Sequence, residues 1–228
     1  MKKRIAILTG AGMSAESGIQ TFRDANGLWE GHNVMEVASP EGFSKNPELV
    51  LNFYNQRRKQ LLTVQPNKGH FNLKKLEENF IVNIITQNVD DLHERAGSKN
   101  VIHLHGELLK VRSSLHENSI YNWNSDLLLG DTCKQGAQLR PHIVWFGEMV
   151  PMLDKAIEII QKADILVIIG TSMQVYPAAS LIHYAQPHIP IYFIDPAPAV
   201  SYQDFHNLTV IQNIASSGTE ILLKKLIG

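Results

Sequence analysis

Thr9-Gly10-Ala11-Gly12-Met13-Ser14-Ala15-Glu16-Ser17-Gly18-Ile19-Gln20-Thr21-Phe22-Arg23 is the stretch that decides the fold of this chain. It follows Ile5-Ala6-Ile7-Leu8, a short branched apolar run flanked by charge, the pattern of a strand buried on both faces of a parallel sheet. Gly10-Ala11-Gly12-Met13-Ser14-Ala15 then fits the G-x-G-x-x-(G/A) turn that lets a backbone approach a dinucleotide pyrophosphate. Glycine suits that turn because a Cβ would strike the phosphate or forbid positive φ. Taken alone, the pattern is equally that of an ordinary tight turn. A simple dinucleotide-binding unit would enter a helix at once. Here Ser17-Gly18-Ile19, Phe22-Arg23 and Gly27-Leu28-Trp29-Glu30 read instead as a long loop. Beside a phosphate-binding turn, such a loop is where function concentrates.

Outward from this stretch, strand-like runs recur at 5–8, 80–86, 101–104, 165–169, 191–194 and 208–211. Helical spacing falls between several of them, at 47–62, 67–79, 153–162 and 178–185. Ser217 followed by Glu220 reads as a capping box opening a last helix. Alternating strands and helices predict an α/β domain with a doubly wound, mainly parallel, Rossmann-like sheet. Two segments, 21–65 and 111–140, fit the alternation poorly and read as a small inserted lobe. The larger lobe then comprises about 1–20, 66–110 and 141–228, with a ligand cleft between the two.

Composition bounds the function classes. With 228 residues the chain supports one substantial core plus a small lobe. Its 21 basic and 22 acidic residues argue against a general nucleic-acid binder. No apolar run approaches the ~20 residues of a membrane span. The apolar stretch after Lys2-Lys3-Arg4 is about four residues, short of the ~7–15 of a secretory leader. One cysteine, Cys133, excludes an internal disulfide and points to a reducing cytoplasm.

Four further stretches carry chemistry. Thr86-Gln87-Asn88-Val89-Asp90 ends an apolar strand, where α/β folds bind ligands, and equally suits a capped strand-to-helix turn. In Val101-Ile102-His103-Leu104-His105-Gly106-Glu107, alternation puts both histidines on one face. A pair of this kind is a structural residue, a base, or half of a metal site that lacks its other ligands. Gly170-Thr171-Ser172 follows a buried strand and suits either phosphate or a helix cap. Val144-Trp145-Phe146-Gly147-Glu148, taken alone, reads as an ordinary core strand with a glycine bulge.

Together these stretches resemble the sirtuins, NAD-dependent protein deacylases, in order and from residue 5 to about 215. The matching patterns are GAGxSxxSGI(P)xFR, with Gln20 in place of the usual proline, then TQNxDxLHxxAG, a histidine before Gly106, VxFGE, and GTSxxVxPA. The resemblance implies removal of acyl groups from lysine with release of nicotinamide and 2′-O-acyl-ADP-ribose. It makes His105 the base and sets Asn88 and Asp90 beside it at the reacting ribose. It assigns to NAD the residues Gly10, Ala11, Gly12, Ala15, Glu16, Phe22, Arg23, Trp29, Gln87, Gly170, Thr171, Ser172, Phe193, Ile194, Asp195 and Ala215. Val144, Phe146, Gly147 and Glu148 then form the strand that receives an acyl-lysine peptide. Protein ADP-ribosyl transfer at the same NAD site is the alternative chemistry, and an NAD-sensing module is the non-catalytic one.

Two places narrow the class. Tyr54 and Arg57, three apart on a helical stretch, share a face. By itself this is a solvated helix face. In class III sirtuins the same Y-x-x-R reads the distal carboxylate of succinyl- or malonyl-lysine, which suits a bidentate guanidinium. Most sirtuins also carry two CxxC pairs on a structural zinc. Here the aligned stretches are Ser113-Ser114-Leu115-His116 and Cys133-Lys134-Gln135-Gly136. Too few thiolates remain for a four-ligand site, so no zinc is expected. Packing by Ile120, Tyr121, Trp123 and Leu127–Leu129 is expected to hold this zinc-ribbon-like module instead. The expected protein is a cytoplasmic monomer acting on acyl-lysine proteins, with neither membrane nor nucleic acid as partner.

Overall fold

The computed structural model describes residues 2–20, 28–29, 31–200 and 205–228. Its centre is a six-stranded sheet in the order Leu208–Ile211, Ile191–Ile194, Ile165–Ile169, Arg4–Thr9, Ile81–Thr86 and Val101–His103. Every pairing in it is parallel. Numbered along the chain, this is the 3-2-1-4-5-6 order of dinucleotide-binding α/β domains.

Alternation along the strands sends side chains into two separate cores. Ile5, Ile7, Ile165, Val167 and Ile169 face one core with Leu73, Leu76 and Leu222, from helices Lys68–Leu76 and Ala215–Ile227. Ala6, Leu8, Leu166 and Ile168 face the other core, closed by helix Leu153–Gln161 and the Ala178–Tyr184 segment. A sheet covered on both faces explains why its strands read as unbroken apolar runs.

Two helical readings are corrected. Residues 178–184 form a 3-10 helix rather than an α-helix. The Ser180 hydroxyl donates to the Pro177 carbonyl at 2.7 Å, as does the Ser180 amide at 3.0 Å, which favours the tighter turn. The last helix begins at Ala215, not at a Ser217–Glu220 box, and no side chain of its own caps it. Glu16 caps it from the far end of the chain, accepting from the Ser216 amide at 2.9 Å and from the Ser216 hydroxyl. Glu220 instead pairs with Lys68 and Lys224.

The small lobe holds a three-stranded antiparallel sheet with Gly106–Ser113 at its centre, flanked by Ile120–Asn122 and Leu139–Ile143. Helix Pro47–Thr63 packs on this sheet, opened by Asn46, whose side chain accepts from the Leu49 amide. Its core differs from expectation. Leu127 is buried with Leu51, Val111, Cys133, Ala137 and Leu139, and Tyr121 and Trp123 pack against them. Ile120, Leu128 and Leu129 are exposed, because a single small sheet offers one apolar face and they lie off it. The two turns that align with zinc ligands lie close together. The Ser113 hydroxyl accepts from the Leu115 and His116 amides, and the Cys133 thiol sits against it. Among the described residues, no group of three or more His, Cys, Asp or Glu is arranged to hold a metal. Nor is any helix among them long and apolar enough to cross a membrane.

Candidate active site

The carboxyl ends of Arg4–Thr9 and Ile165–Ile169 are the point where the strand order reverses, the ligand-binding position of such sheets. Two glycine turns leave these ends and pack on each other. The Gly10 amide donates to the Ile169 carbonyl at 3.0 Å, and the Gly12 amide to Gly170 at 2.8 Å. A Cβ on Gly10 would come within 2.8 Å of the Gly170 oxygen, and one on Gly12 within 2.7 Å of its Cα. Glycine at 10 and 12 is therefore demanded by contact between turns, not by positive φ. Of these three glycines, Gly170 alone adopts the left-handed backbone, at φ 62°. Beyond the first turn the chain makes two short 3-10 turns, Ala11–Met13 and Ala15–Ser17. Asn67 anchors them, its side-chain amide donating to the Met13 carbonyl at 2.8 Å and to the Ser17 hydroxyl at 3.1 Å.

A cavity of about 520 Å³ opens from this point towards the small lobe. Gln87, Asn88 and Asp90 line it, as the strand-end reading anticipated. Ser14, missing from the predicted set, organises them. The Asn88 side chain donates to the Ser14 hydroxyl at 3.0 Å, and that hydroxyl donates to Asp90 at 2.8 Å. Burial pushes the Asp90 carboxyl above its ordinary pKa, opposed by this bond and by the Leu92 amide. The Gln87 amide donates to the Thr171 hydroxyl at 3.1 Å, tying this strand end to the second glycine turn.

His105 lines the same cavity. Its Nδ1 lies 2.9 Å from the Gln87 carbonyl, an acceptor only, so Nδ1 carries the proton and Nε2 keeps its lone pair. Burial lowers its pKa, so the ring is neutral near pH 7. His103 differs in kind. Its Nδ1 meets the Asn88 carbonyl at 3.1 Å and its Nε2 meets Glu94 at 2.8 Å, so both nitrogens are occupied. Burial works against charging His103, but the Glu94 carboxylate outweighs it and holds the pKa above the ordinary value.

At the small-lobe end, Tyr54, Arg57, Trp29 and Ala15 line the cavity. Tyr54 is fully buried, which raises its phenol pKa and keeps it protonated. Trp145 donates to its hydroxyl at 2.9 Å. The Arg57 guanidinium lies 4.8 Å from the Phe53 ring centre, and Trp29 meets the same ring edge-on. Tyr54 and Arg57 therefore face a shared cavity rather than solvent.

The stretch Val144–Glu148 lines the cavity but is not a strand. The strand stops at Ile143, and a turn follows. The Val144 amide is already bonded to His105, the Phe146 amide to Ala38, and the Trp145 amide to the Glu148 carboxylate. Glu148 serves as a clamp. Burial opposes its charge, yet Arg140 and Arg112 hold the carboxylate below its ordinary pKa, with contacts of 2.6 and 3.1 Å.

At the opposite end, Ile194, Asp195, Ala215 and Glu16 line the cavity together with Ser172. Asp195 is buried, and its carboxylate accepts from the Ala197 amide at 2.8 Å. Phe193 does not join them. Strand alternation turns it into the sheet core, where it is fully buried. Phe22 and Arg23 lie outside the described residues. The cavity lining thus brings together two glycine turns, hydroxyl groups and buried carboxylates.

The Sir2 family pattern matches residues 10–177. The chain is similar to an NAD-dependent protein deacylase of Helicobacter pylori, 58% identical over 225 residues, which cover 99% of this chain and 98% of that protein. It is also similar to the structure of a Sir2 homologue in complex with NAD, at TM-score 0.87 and 41% identity over 98% of this chain and 89% of that one. A Sir2 protein bound to acetylated peptide superposes at TM-score 0.79 with 28% identity, covering 98% and 93%. A family match over most of the chain, and relatives alike over nearly all of it, mean that the chain belongs to the Sir2 family.

Proposed function

We propose that this protein is an NAD-dependent protein-lysine deacylase acting on acetyl-lysine and on succinyl- or malonyl-lysine. The observation that carries the reading is His105, a neutral imidazole whose Nδ1–H is committed to the Gln87 carbonyl. Its basic Nε2 belongs to a cavity that runs between the glycine turns and the Tyr54–Arg57 pair. The Helicobacter pylori relative is named for this activity. Sir2 structures with NAD and with acetylated peptide support the two substrates.

In this reading Gly10, Ala11, Gly12, Gly170, Thr171 and Ser172 hold the diphosphate of NAD, and Ile194, Asp195 and Ala215 its adenosine end. Gln87, Asn88 and Asp90 orient the nicotinamide ribose, their positions set by Ser14 and Thr171. NAD supplies an electrophilic ribose carbon with nicotinamide as its leaving group, and the acyl group ends on ADP-ribose. His105 Nε2 takes the proton from a ribose hydroxyl. Tyr54 donates a hydrogen bond from its hydroxyl, and Arg57 from its guanidinium, to the distal carboxylate of a succinyl or malonyl group. Phe146 and Gly147 border the lysine stem. Glu16 acts on the cofactor indirectly, through its cap on the last helix.

The small lobe, in this reading, folds without zinc. Its support is chemical: the Ser113 hydroxyl is spent on two backbone amides, and Cys133 is buried in an apolar cluster. Cys133 as a buried free thiol also suits a cytoplasmic protein. The deciding experiment incubates acetyl-, succinyl- and malonyl-lysine peptides with NAD and follows nicotinamide release. Acyl-ADP-ribose identified by mass supports deacylation. ADP-ribose attached to protein would favour the transferase chemistry instead.

A further inference from the structure

The mouth of the cavity has a chemical character that the catalytic reading does not use. Two segments contribute to its lining, 146–150 and 175–177. Phe146, Val150, Val175, Tyr176 and Pro177 line the cavity itself. Large apolar side chains stand in solvent there: Met149 is 90% exposed and Tyr176 is 74% exposed, with Phe146 and Met152 partly so. Exposed apolar side chains clustered at a cavity mouth mark a contact surface.

Neither segment presents a charge that is not already paired. From Ile165 to Ile194 the chain contains no Asp, Glu, Lys or Arg. Between Pro141 and Leu153, the only charged residue is Glu148. Its carboxylate is neutralised by Arg112 and Arg140 and accepts the Trp145 amide. A charged side chain docked against these two segments would lose water and gain no opposite charge from them, whereas an apolar one would remove apolar surface from water.

We propose that this surface selects substrate segments in which an aliphatic or aromatic residue lies within two positions of the acyl-lysine, and disfavours segments with Lys, Arg, Asp or Glu there. The proposal rests on the deacylase reading, since it is continuity with the acyl-lysine cavity that makes a peptide the occupant. Phe146 and Val150 would meet the side chain on one side of the lysine, and Val175 and Tyr176 the other. Met149, outside the cavity, widens the apolar rim.

The test is a set of acetyl-lysine peptides of one length, with Leu, Phe, Glu or Lys at the neighbouring positions, assayed by kcat/KM at low and high salt. Leu and Phe peptides should exceed both charged ones by about ten-fold, the discrimination that apolar contacts typically give. The ratio should persist at high salt, because no ion pair underlies it. Met149→Glu, at an exposed position, should keep the parent melting temperature while narrowing the Leu-over-Lys ratio. Equal turnover of all peptides, or faster turnover of a charged series, would overturn the proposal and leave deacylation standing. Absence of nicotinamide release from every peptide would overturn the deacylase reading, and this proposal with it.

Discussion

Trp145 donates its indole proton to the Tyr54 hydroxyl at 2.9 Å, across 91 residues of chain and with both rings buried. This bond joins the helix that carries Arg57 to the turn at 144–148 that lines the cavity. The Arg140 guanidinium completes the unit, lying 3.3 Å over the Trp145 ring and binding Glu148. Because Tyr54 accepts from Trp145, its own proton is left to donate into the cavity.

Arg57→Met should lower kcat/KM on succinyl-lysine by about ten- to a hundred-fold, the equivalent of about 1.5–3 kcal/mol for a charge-assisted pair. Acetyl-lysine has no distal carboxylate and should lose little. Tyr54→Phe should show the same selectivity more weakly. It should also lower the melting temperature, since it leaves the buried Trp145 N–H without an acceptor, at about 1–3 kcal/mol. Parallel kinetics on the two peptides check this, and equal losses for Arg57→Met would mean that it only supports the helix.

His105→Ala should reduce turnover by about 10²–10⁴ while NAD still binds by calorimetry. A base works unprotonated, and burial lowers the His105 pKa. Activity should therefore stay level as pH falls from 7 to the ordinary histidine value of ~6.5, and decline only below it. A pH–rate profile with its acidic limb above that value would contradict the assignment.

Ser14→Ala removes the hydroxyl between Asn88 and Asp90. With its acceptor for Asn88 and its donor to Asp90 both gone, turnover should fall about ten- to a hundred-fold. The melting temperature should fall as well, because the buried Asn88 and Asp90 side chains lose a partner at a cost of about 1–3 kcal/mol, and kcat/KM measured well below the melting transition separates the two effects.

Acid should destabilise the fold through a buried histidine pair. The His70 and His93 rings lie 4.9 Å apart. Burial lowers His70 to about 4 and His93 well below the ordinary value. His70 also uses Nδ1 to accept the Asn67 amide. The unfolded chain takes up these protons near pH 6.5 and the folded chain does not, so stability falls as pH drops from 6.5 towards 4. The loss from His70 alone is on the order of 3 kcal/mol. Denaturant midpoints across this window measure it, and His70→Gln should flatten the slope.

The purified protein should carry no stoichiometric zinc, and a strong chelator should leave its melting temperature unchanged. Elemental analysis together with a thermal melt checks both. One equivalent of zinc would point to Cys133 and His116 with partners outside the aligned turns.

Features with local causes were legible in the sequence alone. Unbroken branched runs marked Arg4–Thr9 and Ile165–Ile169 as strands covered on both faces, and glycine patterns after them marked the ligand-binding end of the sheet. Gln87, Asn88, Asp90 and His105 follow directly on strand ends, so their presence in the cavity also needed only a short reach along the chain. Contacts between distant segments were decided only by the tertiary structure. Glu16 caps a helix 200 residues away, which made the local Ser217–Glu220 signal misleading. Ser14 acquires its place between Asn88 and Asp90 from a strand 74 residues on. Val144–Glu148 has the residues of a strand, but its amides are claimed by His105, Ala38 and Glu148, which no local pattern records. Phe193 belongs to the core because the register of its strand, not its neighbourhood in sequence, sets the face it occupies. A residue's own chemistry and spacing choose its secondary structure, whereas its hydrogen-bond partner is chosen by whichever segment the packed cores bring beside it.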